Sequence, residues 1–223
     1  MKTRTAAFIR VEGVLLERGA LALSAFYASN AAGFSERLFR LGQVALSAPL
    51  FGAPGGAYRG LASRMAYGAC RGLSEDRLIL LGEEFFDRFV RDRILESGRA
   101  LLARLRREGH EVVLLSELPA QVIAPLSELL GPAELICNQL ELRAARATGR
   151  LLEPVVGGRE TGRIARDYAR ERGLDLQASV ACGGREADLL LLAAVGQPCA
   201  INPDSALRRS AREADWPVVD YSA

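Results

Sequence analysis

The sequence is poor in several residue types on which enzyme chemistry often depends. Among its 223 residues, His110 is the only histidine and Lys2 the only lysine, so arginine supplies the rest of the 29 basic side chains. A histidine-rich zinc site is therefore excluded, as is chemistry that needs a lysine amine beyond residue 2. A Ser-His-Asp triad would have to use His110, which we place in a turn at the base of the predicted sheet.

The sequence also lacks a C-x-x-C motif and a long apolar run. Its opening segment, MKTRTAAFIRVEG, is interrupted by Arg10 and Glu12 and matches a signal peptide poorly. No stretch approaches the ~18 consecutive apolar residues of a membrane span. The four cysteines are far apart, which is typical of reduced and mostly buried thiols: Cys70, Cys137, Cys182 and Cys199. We therefore expect a cytoplasmic protein.

No large excess of charge of one sign is present. The 29 basic and 27 acidic side chains leave a net charge of +2, which is too balanced to indicate nucleic-acid binding. Hydrophobic residues make up 49% of the chain and charged residues 25%, the usual composition of a globular protein. Nucleic acid is therefore not an expected partner.

Strand and helix patterns alternate along the second half of the chain. A short strand is predicted over residues 6–11, and a long helical block without clear strands, 17–100, follows it. Further strands are predicted over 111–116, 134–142, 177–183, 199–203 and 216–221, and helices over 119–130, 160–173, 188–196 and 204–214. This alternation predicts an α/β fold with a doubly wound parallel sheet, whose sites lie at the carboxyl ends of the strands.

Four segments of the chain resemble the motifs of the haloacid dehalogenase (HAD) superfamily, in its phosphoserine-phosphatase-like subfamily. These segments are AAFIRVEGVLL, GHEVVLLSELP, GRLLEPVVGGRETGRIARDYARERGLDL and ACGGREADLLLLAAVGQPCAINPDSALRRSAREADWPVV. The block 17–100 stands where this subfamily inserts a helical cap. The resemblance therefore implies a HAD-like, Rossmann-like core domain of residues 1–16 and 101–223, with a helical cap of residues 17–100.

The resemblance also implies a reaction. In active members of the family, an aspartate at the end of the first strand attacks the phosphoryl group and forms an aspartyl-phosphate. An aspartate two residues later acts as general acid and base. A magnesium ion is held by these two residues and by an aspartate of the fourth motif, while a Ser or Thr and a lysine orient the phosphoryl oxygens.

This chain departs from the family pattern at the first strand. The nucleophile position holds Arg10, whose protonated guanidinium has no lone pair with which to attack phosphorus. The general acid position holds Glu12, which is still a carboxylate, and the threonine position holds Val14. Ser116 keeps the hydroxyl of the second motif.

Two later motifs depart as well. The lysine position of the third motif holds Thr161, with Arg159 and Arg163 two residues to either side. In the fourth motif, Gly184 stands in the first aspartate position and Asp188 in the second. The nucleophile, the lysine and one metal carboxylate are therefore missing together.

These departures favour a catalytically inactive phosphatase homologue, a pseudoenzyme that acts in binding or regulation. In one interpretation, Arg10 replaces the nucleophile and its metal, and the pocket holds a phosphorylated small molecule. Its ligand-binding residues would be Arg10, Ser116, Arg159, Thr161 and Gly184, with no metal and with Glu12 and Asp188 as remnants of the metal positions. In the other interpretation, Arg10 is a structural plug paired with Glu12 or Asp188.

Two other functions stay open. One is an active phosphomonoester hydrolase of the HAD family, with Mg²⁺ as cofactor and altered chemistry through Glu12. The other is a scaffold for lipid acyltransferases or membrane enzymes, which is an analogy between folds. Residues 37–71 contain five arginines, no acid and many apolar residues. This segment either packs on the core with its arginines in water, or contacts an anionic membrane surface or an acyl-phosphate ligand. For the protein as a whole, a partner protein is the alternative to a phosphorylated ligand.

Overall fold

The computed structural model describes residues 4–16, 19–31, 33–53 and 58–221. Its strands are β1 (Ala6–Arg10), β2 (Glu111–Pro119), β3 (Glu134–Asn138), β4 (Leu140–Arg143), β5 (Arg146–Leu151), β6 (Val180–Gly183), β7 (Gln197–Ile201) and β8 (Val218–Val219). Six of these strands form one sheet in the order β3-β2-β1-β6-β7-β8, and all its neighbouring pairs are parallel. The predicted α/β fold with a doubly wound parallel sheet is confirmed.

Helices cover both faces of this sheet. They are α1 (Ala20–Ser29), α2 (Phe34–Phe51), α3 (Arg59–Tyr67), α4 (Glu75–Phe89), α5 (Glu96–Glu108), α6 (Ala120–Ile123), α7 (Pro125–Leu130), α8 (Arg159–Arg172), α9 (Leu189–Leu192) and α10 (Ser205–Glu213). Because side chains alternate along a strand, Ile9 of β1 packs with α1, α4 and α5, whereas Phe8 packs with α8, α9 and α10. The two cores explain why β1 is buried along its whole length.

The predicted strand over 134–142 is two strands, which is a correction. β3 belongs to the main sheet, whereas β4 pairs antiparallel with β5 in a separate hairpin. Asn138 causes the break, because its buried side chain donates to the Glu117 carbonyl (2.8 Å) and accepts from the Val156 backbone (2.7 Å). The hairpin also bonds to the segment between α3 and α4, where the backbone amide of Gly72 donates to the Ala147 carbonyl at 2.8 Å.

Other predicted boundaries were wrong near the sheet. β2 continues to Pro119 instead of ending at residue 116, and its register with β3 shifts after Ser116. The helix predicted over 119–130 is two short helices, because Pro125 has no amide hydrogen to continue the first one. β6 begins only at Val180, because Asp175 accepts from the backbone amides of residues 177 and 178 and holds them in a turn.

The helices α1–α4 form what we call the helical insert, between β1 and α5. The predicted domain boundary at residue 100 falls inside α5, whose Leu101 and Leu105 are buried in the core. The division into a core domain and a cap stays a prediction. Within the ranges that the structure describes, no helix combines the length and the apolar character that crossing a bilayer requires.

Candidate active site

The candidate site lies where the strand order reverses. β1 has β2 on one side and β6 on the other. The strand that follows β2 is added toward one edge of the sheet, and the strands that follow β6 are added toward the other edge. In open parallel sheets, this reversal opens a crevice at the carboxyl ends of the strands, where ligands bind. Arg10 is the last residue of β1, and the segment from Gly184 to Asp188 follows β6 directly. The two motifs therefore meet as the sequence predicts.

Arg10 fills this crevice and is surrounded by carboxylates. Its Nη2 lies 2.8 Å from Glu117 Oε1 and 3.4 Å from Glu12 Oε2, and its Nε lies 2.8 Å from Asp188 Oδ1. The Arg10 side chain is only 1% exposed. Burial disfavours a charged guanidinium, but the three carboxylates outweigh burial and hold the Arg10 pKa above its ordinary value. The arginine is therefore a buried, permanent cation.

Glu12 is buried beside Ser116 and is held away from solvent. The Ser116 hydroxyl donates to Glu12 Oε1 at 2.6 Å, and the Glu117 backbone amide donates to both carboxylate oxygens at 3.1 Å. Burial raises the pKa of Glu12 above its usual value, and the nearby Glu117 charge acts in the same direction. Arg10 and the donated hydrogen bonds oppose this rise only in part. Both carboxylate oxygens of Glu12 thus already accept hydrogen bonds from other residues of the protein.

Glu117 joins the core to the helical insert. Arg59 of α3 approaches Glu117 Oε1 to 2.5 Å through its Nε, and the Tyr67 hydroxyl of the same helix donates to the Glu117 carbonyl at 3.2 Å. Burial would raise the pKa of Glu117, but Arg59 and Arg10 together lower it below the usual value. Glu117 is therefore an ionised carboxylate shared by two guanidinium groups.

Asp188 contacts both Arg10 and the turn after β6. Its Oδ2 accepts from the backbone amides of Gly184 (3.0 Å) and Arg185 (3.1 Å), which stabilises the turn after β6. Its Oδ1 pairs with Arg10. Different oxygens of the Asp188 side chain therefore hold the turn after β6 and pair with Arg10.

Gly184 lies where two backbone segments approach it closely. A Cβ atom at this position would stand 2.8 Å from the Gly13 carbonyl oxygen and 2.9 Å from the Ile201 carbonyl oxygen. Gly13 itself turns the chain after β1 with φ +96°. The first metal aspartate of the family pattern is therefore absent from a position where this backbone has no room for a side chain.

The third-motif residues lie at the start of α8. Thr161 is buried, but its hydroxyl donates to the Gly158 carbonyl at 3.0 Å and not to the carboxylates around Arg10. Arg159 is the first residue of α8 and is exposed. The loop before α8 reaches the site through Gly157, which lies against the Glu117 side chain. The predicted role of Thr161 and Arg159 in ligand binding remains a prediction.

The residues present do not fit a magnesium ion. The guanidinium of Arg10 occupies the space between Glu12, Glu117 and Asp188, so a divalent cation there would meet a fixed positive charge. Glu12 and Asp188 already accept hydrogen bonds from the chain. In the part of the chain that the structure describes, no group of three or more His, Cys, Asp or Glu side chains is arranged to hold a metal.

Sequence reasoning missed Glu117 and Arg59, which complete the cluster. Glu117 directly follows Ser116 in the SELP segment, and a carboxylate next to a second-motif hydroxyl was a signal that could have been used. Arg59 had no such signal, because it comes from the helical insert, 58 positions before Glu117. His110 does lie at the opposite end of β2, where its Nδ1 is 2.8 Å from Thr5 Oγ1.

Comparison with known proteins identifies the family. The model of the haloacid dehalogenase-like hydrolase family matches residues 15–193, which is most of the chain. The chain belongs to this family. A relative is the phosphoserine phosphatase SerB1 of Mycobacterium tuberculosis, 31% identical over 158 residues, which cover 71% of this chain and 51% of the relative. Another is a histidinol-phosphatase of Neisseria meningitidis, 29% identical over 155 residues, which cover 66% of this chain and 68% of that protein.

Solved structures share the haloacid dehalogenase fold over nearly the whole chain. A Bordetella pertussis protein with unknown function is 24% identical, with a TM-score of 0.81, and the match covers 98% of this chain and 99% of that one. A phospho-aspartyl intermediate analogue of phosphoserine phosphatase is 16% identical, with a TM-score of 0.71 and coverage of 93% and 91%. The chain spans about half the length of the first curated relatives that it matches.

Glu12 gives the haloacid dehalogenase-like site a testable pH dependence. Because its pKa is raised in the folded protein, the folded state binds more protons than the unfolded state above the ordinary value of 4.5. The contribution of Glu12 to stability is therefore present below pH 4.5 and is lost as the pH rises through the folded pKa. Urea unfolding from pH 5 to 8 is expected to show Glu12→Gln gaining stability relative to the wild-type chain as the pH rises.

Glu117→Gln is a second test of the same assignment. The pKa of Glu117 is lowered in the folded protein, so its own contribution to stability is present above the ordinary value and is lost as the pH falls through the folded pKa. Across pH 5 to 8, losing this carboxylate should cost a constant amount of stability, and because the Glu117 charge also raises the Glu12 pKa, the pH-dependent contribution of Glu12 should shrink in Glu117→Gln. A constant difference between Glu12→Gln and the wild-type chain over the same range would contradict the assignment of a raised pKa to Glu12.

Proposed function

We propose that this haloacid dehalogenase-like protein is a phosphatase homologue that performs no phosphoryl transfer through an aspartyl-phosphate and that acts by binding. The observation that carries the proposal is Arg10, buried at the end of β1 and paired with three carboxylates. A guanidinium cannot accept a phosphoryl group, and here it also occupies the space of the metal. Arg10 then acts as a plug, and the salt-bridge cluster is a structural replacement for the nucleophile and the metal.

The same cluster holds the helical insert against the core. The Arg59 guanidinium also donates to the Phe51 carbonyl at 3.2 Å and lies over the Phe51 ring, so it ties α2 and α3 to Glu117. A phosphatase must admit its substrate to the carboxyl end of β1. With Arg10 1% exposed and Arg59 only 8% exposed at the side chain, ion pairs among the described residues cover this path. Closure supports the plug over a pocket for a phosphorylated small molecule.

A protein partner is supported by the surface of α2. The exposed side chains on this helix include Phe34, Leu38, Phe39 and Leu46, which are 64% to 82% exposed. Large exposed apolar patches on soluble proteins mark interaction sites.

An anionic membrane surface has less support as the partner of residues 37–71, because two of the five arginines in this range, Arg40 and Arg59, are buried and paired with carboxylates. A scaffold for acyltransferases has no supporting contact among the described residues.

The second candidate function is an active phosphomonoester hydrolase. The names of the relatives favour it, since they include a phosphoserine phosphatase and a histidinol-phosphatase. Phosphatases of this family typically use Mg²⁺, and in this chain Glu12 would have to supply the remaining acid. The candidate requires Arg10 to leave the carboxylates, so that the metal and the substrate can enter.

Turnover of p-nitrophenyl phosphate separates the two candidates. We expect no Mg²⁺-dependent turnover by the wild-type chain above the level of Arg10→Met, because neither protein has a nucleophile at the end of β1. Mass spectrometry after incubation with acetyl phosphate should find no acyl-phosphate on any side chain. Turnover that needs Mg²⁺ and disappears in Glu12→Gln would overturn the proposal in favour of the hydrolase.

Calorimetry with inorganic phosphate distinguishes the plug from the anion pocket. Since Arg10 is already neutralised by three carboxylates, we expect no heat of binding at millimolar phosphate. Binding that is present in the wild-type chain and absent in Arg10→Met would instead identify a phosphate pocket built on Arg10.

A further inference from the structure

Two cysteines are neighbours on adjacent strands of the main sheet. Cys182 of β6 and Cys199 of β7 are register partners in a parallel pair. On the other side of Cys182, the register partner is Ile9 of β1, which in turn pairs with Leu114 of β2. Ile9 and Leu114 are buried in the apolar centre of the sheet, whereas the two thiols lie nearer to its edge. Neighbouring strands lie about 4.7 to 4.9 Å apart, and disulfides join Cα atoms about 4.4 to 6.8 Å apart. The backbone therefore already has the spacing of a disulfide.

The two thiols differ in a way that gives each a role. Cys182 is 1% exposed, whereas Cys199 is partly exposed. Cys182, the register partner of Cys199, lowers the pKa of Cys199 to about 7, against burial. The Arg104 guanidinium of α5, on the same side of the sheet, acts in the same direction. Cys199 is thus the accessible thiolate, and Cys182 is the buried thiol held against it.

We propose that Cys182 and Cys199 form a redox-active thiol pair, which hydrogen peroxide oxidises to a disulfide between β6 and β7. This pair lies on the sheet face opposite Phe8 and takes no part in the salt-bridge cluster around Arg10. The inference is independent of the proposed function. It concerns a modification site, and its co-reactant is a small peroxide that reaches the partly exposed sulfur.

The reaction balances in two steps. The Cys199 thiolate attacks one peroxide oxygen, so that an S–O bond forms, the O–O bond breaks and hydroxide leaves, which takes up a proton to give water. The Cys182 thiol loses its proton and its sulfur attacks the Cys199 sulfenic acid, so that the S–S bond forms and the second oxygen leaves as water. Two thiols lose two electrons in total, and one peroxide becomes two waters.

The other cysteines provide internal controls. Burial raises the pKa of Cys70 to about 12 and that of Cys137 to about 11, so both are protonated at neutral pH. Thiols of this kind react slowly with peroxide. Cys70→Ser and Cys137→Ser should therefore leave the oxidation of the pair unchanged.

Treatment of the full chain with hydrogen peroxide tests the disulfide. We expect the wild-type chain to lose two free thiols and the mass of two hydrogen atoms. A proteolytic digest should contain two peptides that are linked through Cys182 and Cys199. Cys182→Ser should instead stop at an oxidised Cys199 without a link. A wild-type chain that gives no such link, or that links Cys137 or Cys70 at the same rate, would overturn the proposal.

The pH dependence of alkylation tests the role of Cys182 separately. The charged or titratable side chains that act on Cys199 are Cys182 and Arg104. Labelling of Cys199 by iodoacetamide should have its midpoint near pH 7 in the wild-type chain and should keep a lowered midpoint in Cys182→Ser, because a hydroxyl can still donate. Cys182→Ala removes the donor and should slow labelling at pH 7 by about tenfold or more. Equal midpoints in all three proteins, with circular dichroism showing that each is folded, would contradict the pairing.

Discussion

Replacing Arg10 with methionine is expected to lower the free energy of unfolding by about 3 to 5 kcal/mol. The substitution keeps an unbranched side chain but removes the cation that Glu12, Glu117 and Asp188 share. Three carboxylates that are at most 1% exposed would then face one another without Arg10. For a chain of this size, the loss corresponds to a decrease in Tm on the order of 10 °C, which thermal unfolding followed by circular dichroism would measure.

An exposed ion pair supplies the control for this experiment. Arg170 in α8 pairs with Asp167 at 2.7 Å, but its side chain is 74% exposed. Arg170→Met should therefore cost less than about 1 kcal/mol. If Arg10→Met and Arg170→Met unfold at the same temperature, Arg10 is not the buried cation that holds the cluster together.

Replacing Gly184 with aspartate is expected to fail as a repair of the family site. The substitution restores the carboxylate of the fourth motif, but its Cβ would stand within 3 Å of the carbonyl oxygens of Gly13 and Ile201. Both obstacles are backbone atoms, so a side-chain rotation cannot relieve them. We expect a loss of about 3 kcal/mol or more in urea unfolding and no gain of Mg²⁺-dependent turnover, even in combination with Arg10→Asp.

Two alanine variants separate the steric effect from the charge. Gly184→Ala carries the same Cβ without a carboxylate and should show most of the loss. Gly42→Ala in α2 has open space around the new Cβ, and should raise stability by up to about 1 kcal/mol because alanine favours a helix. A Gly184→Ala chain as stable as the wild-type chain would show that the backbone around Gly13 yields easily.

The Arg10 and Gly184 variants both test whether the structure has adapted to the loss of the metal. Arg10→Met asks whether the guanidinium is necessary where the family has a nucleophile. Gly184→Asp asks whether the missing metal carboxylate can return. In the proposed function, both substitutions damage the fold because the structure has adapted to the loss of the metal. A Gly184→Asp chain that stays as stable as the wild-type chain would contradict this adaptation.

Much of the fold could be predicted because its signals are local. The apolar runs at Ala6–Arg10 and Glu111–Pro119 become strands buried on both faces, and the gap of about a hundred residues between them holds helices. The break after Asn138 could not be predicted from periodicity, because apolar residues continue through residues 134–142. Its cause is a pair of hydrogen bonds to Glu117 and Val156, which are distant in the chain.

By itself, the sequence determined which groups this protein carries at its family's catalytic positions: a guanidinium at residue 10, a carboxylate at residue 12 and no side chain at residue 184. Residue identity alone decides that this arginine cannot be phosphorylated. Only the tertiary structure decided that Arg10 is a plug with three carboxylate partners and that Arg59 joins it from the helical insert. Ion pairs depend on separations of a few ångströms between distant segments, and a linear pattern does not contain those separations.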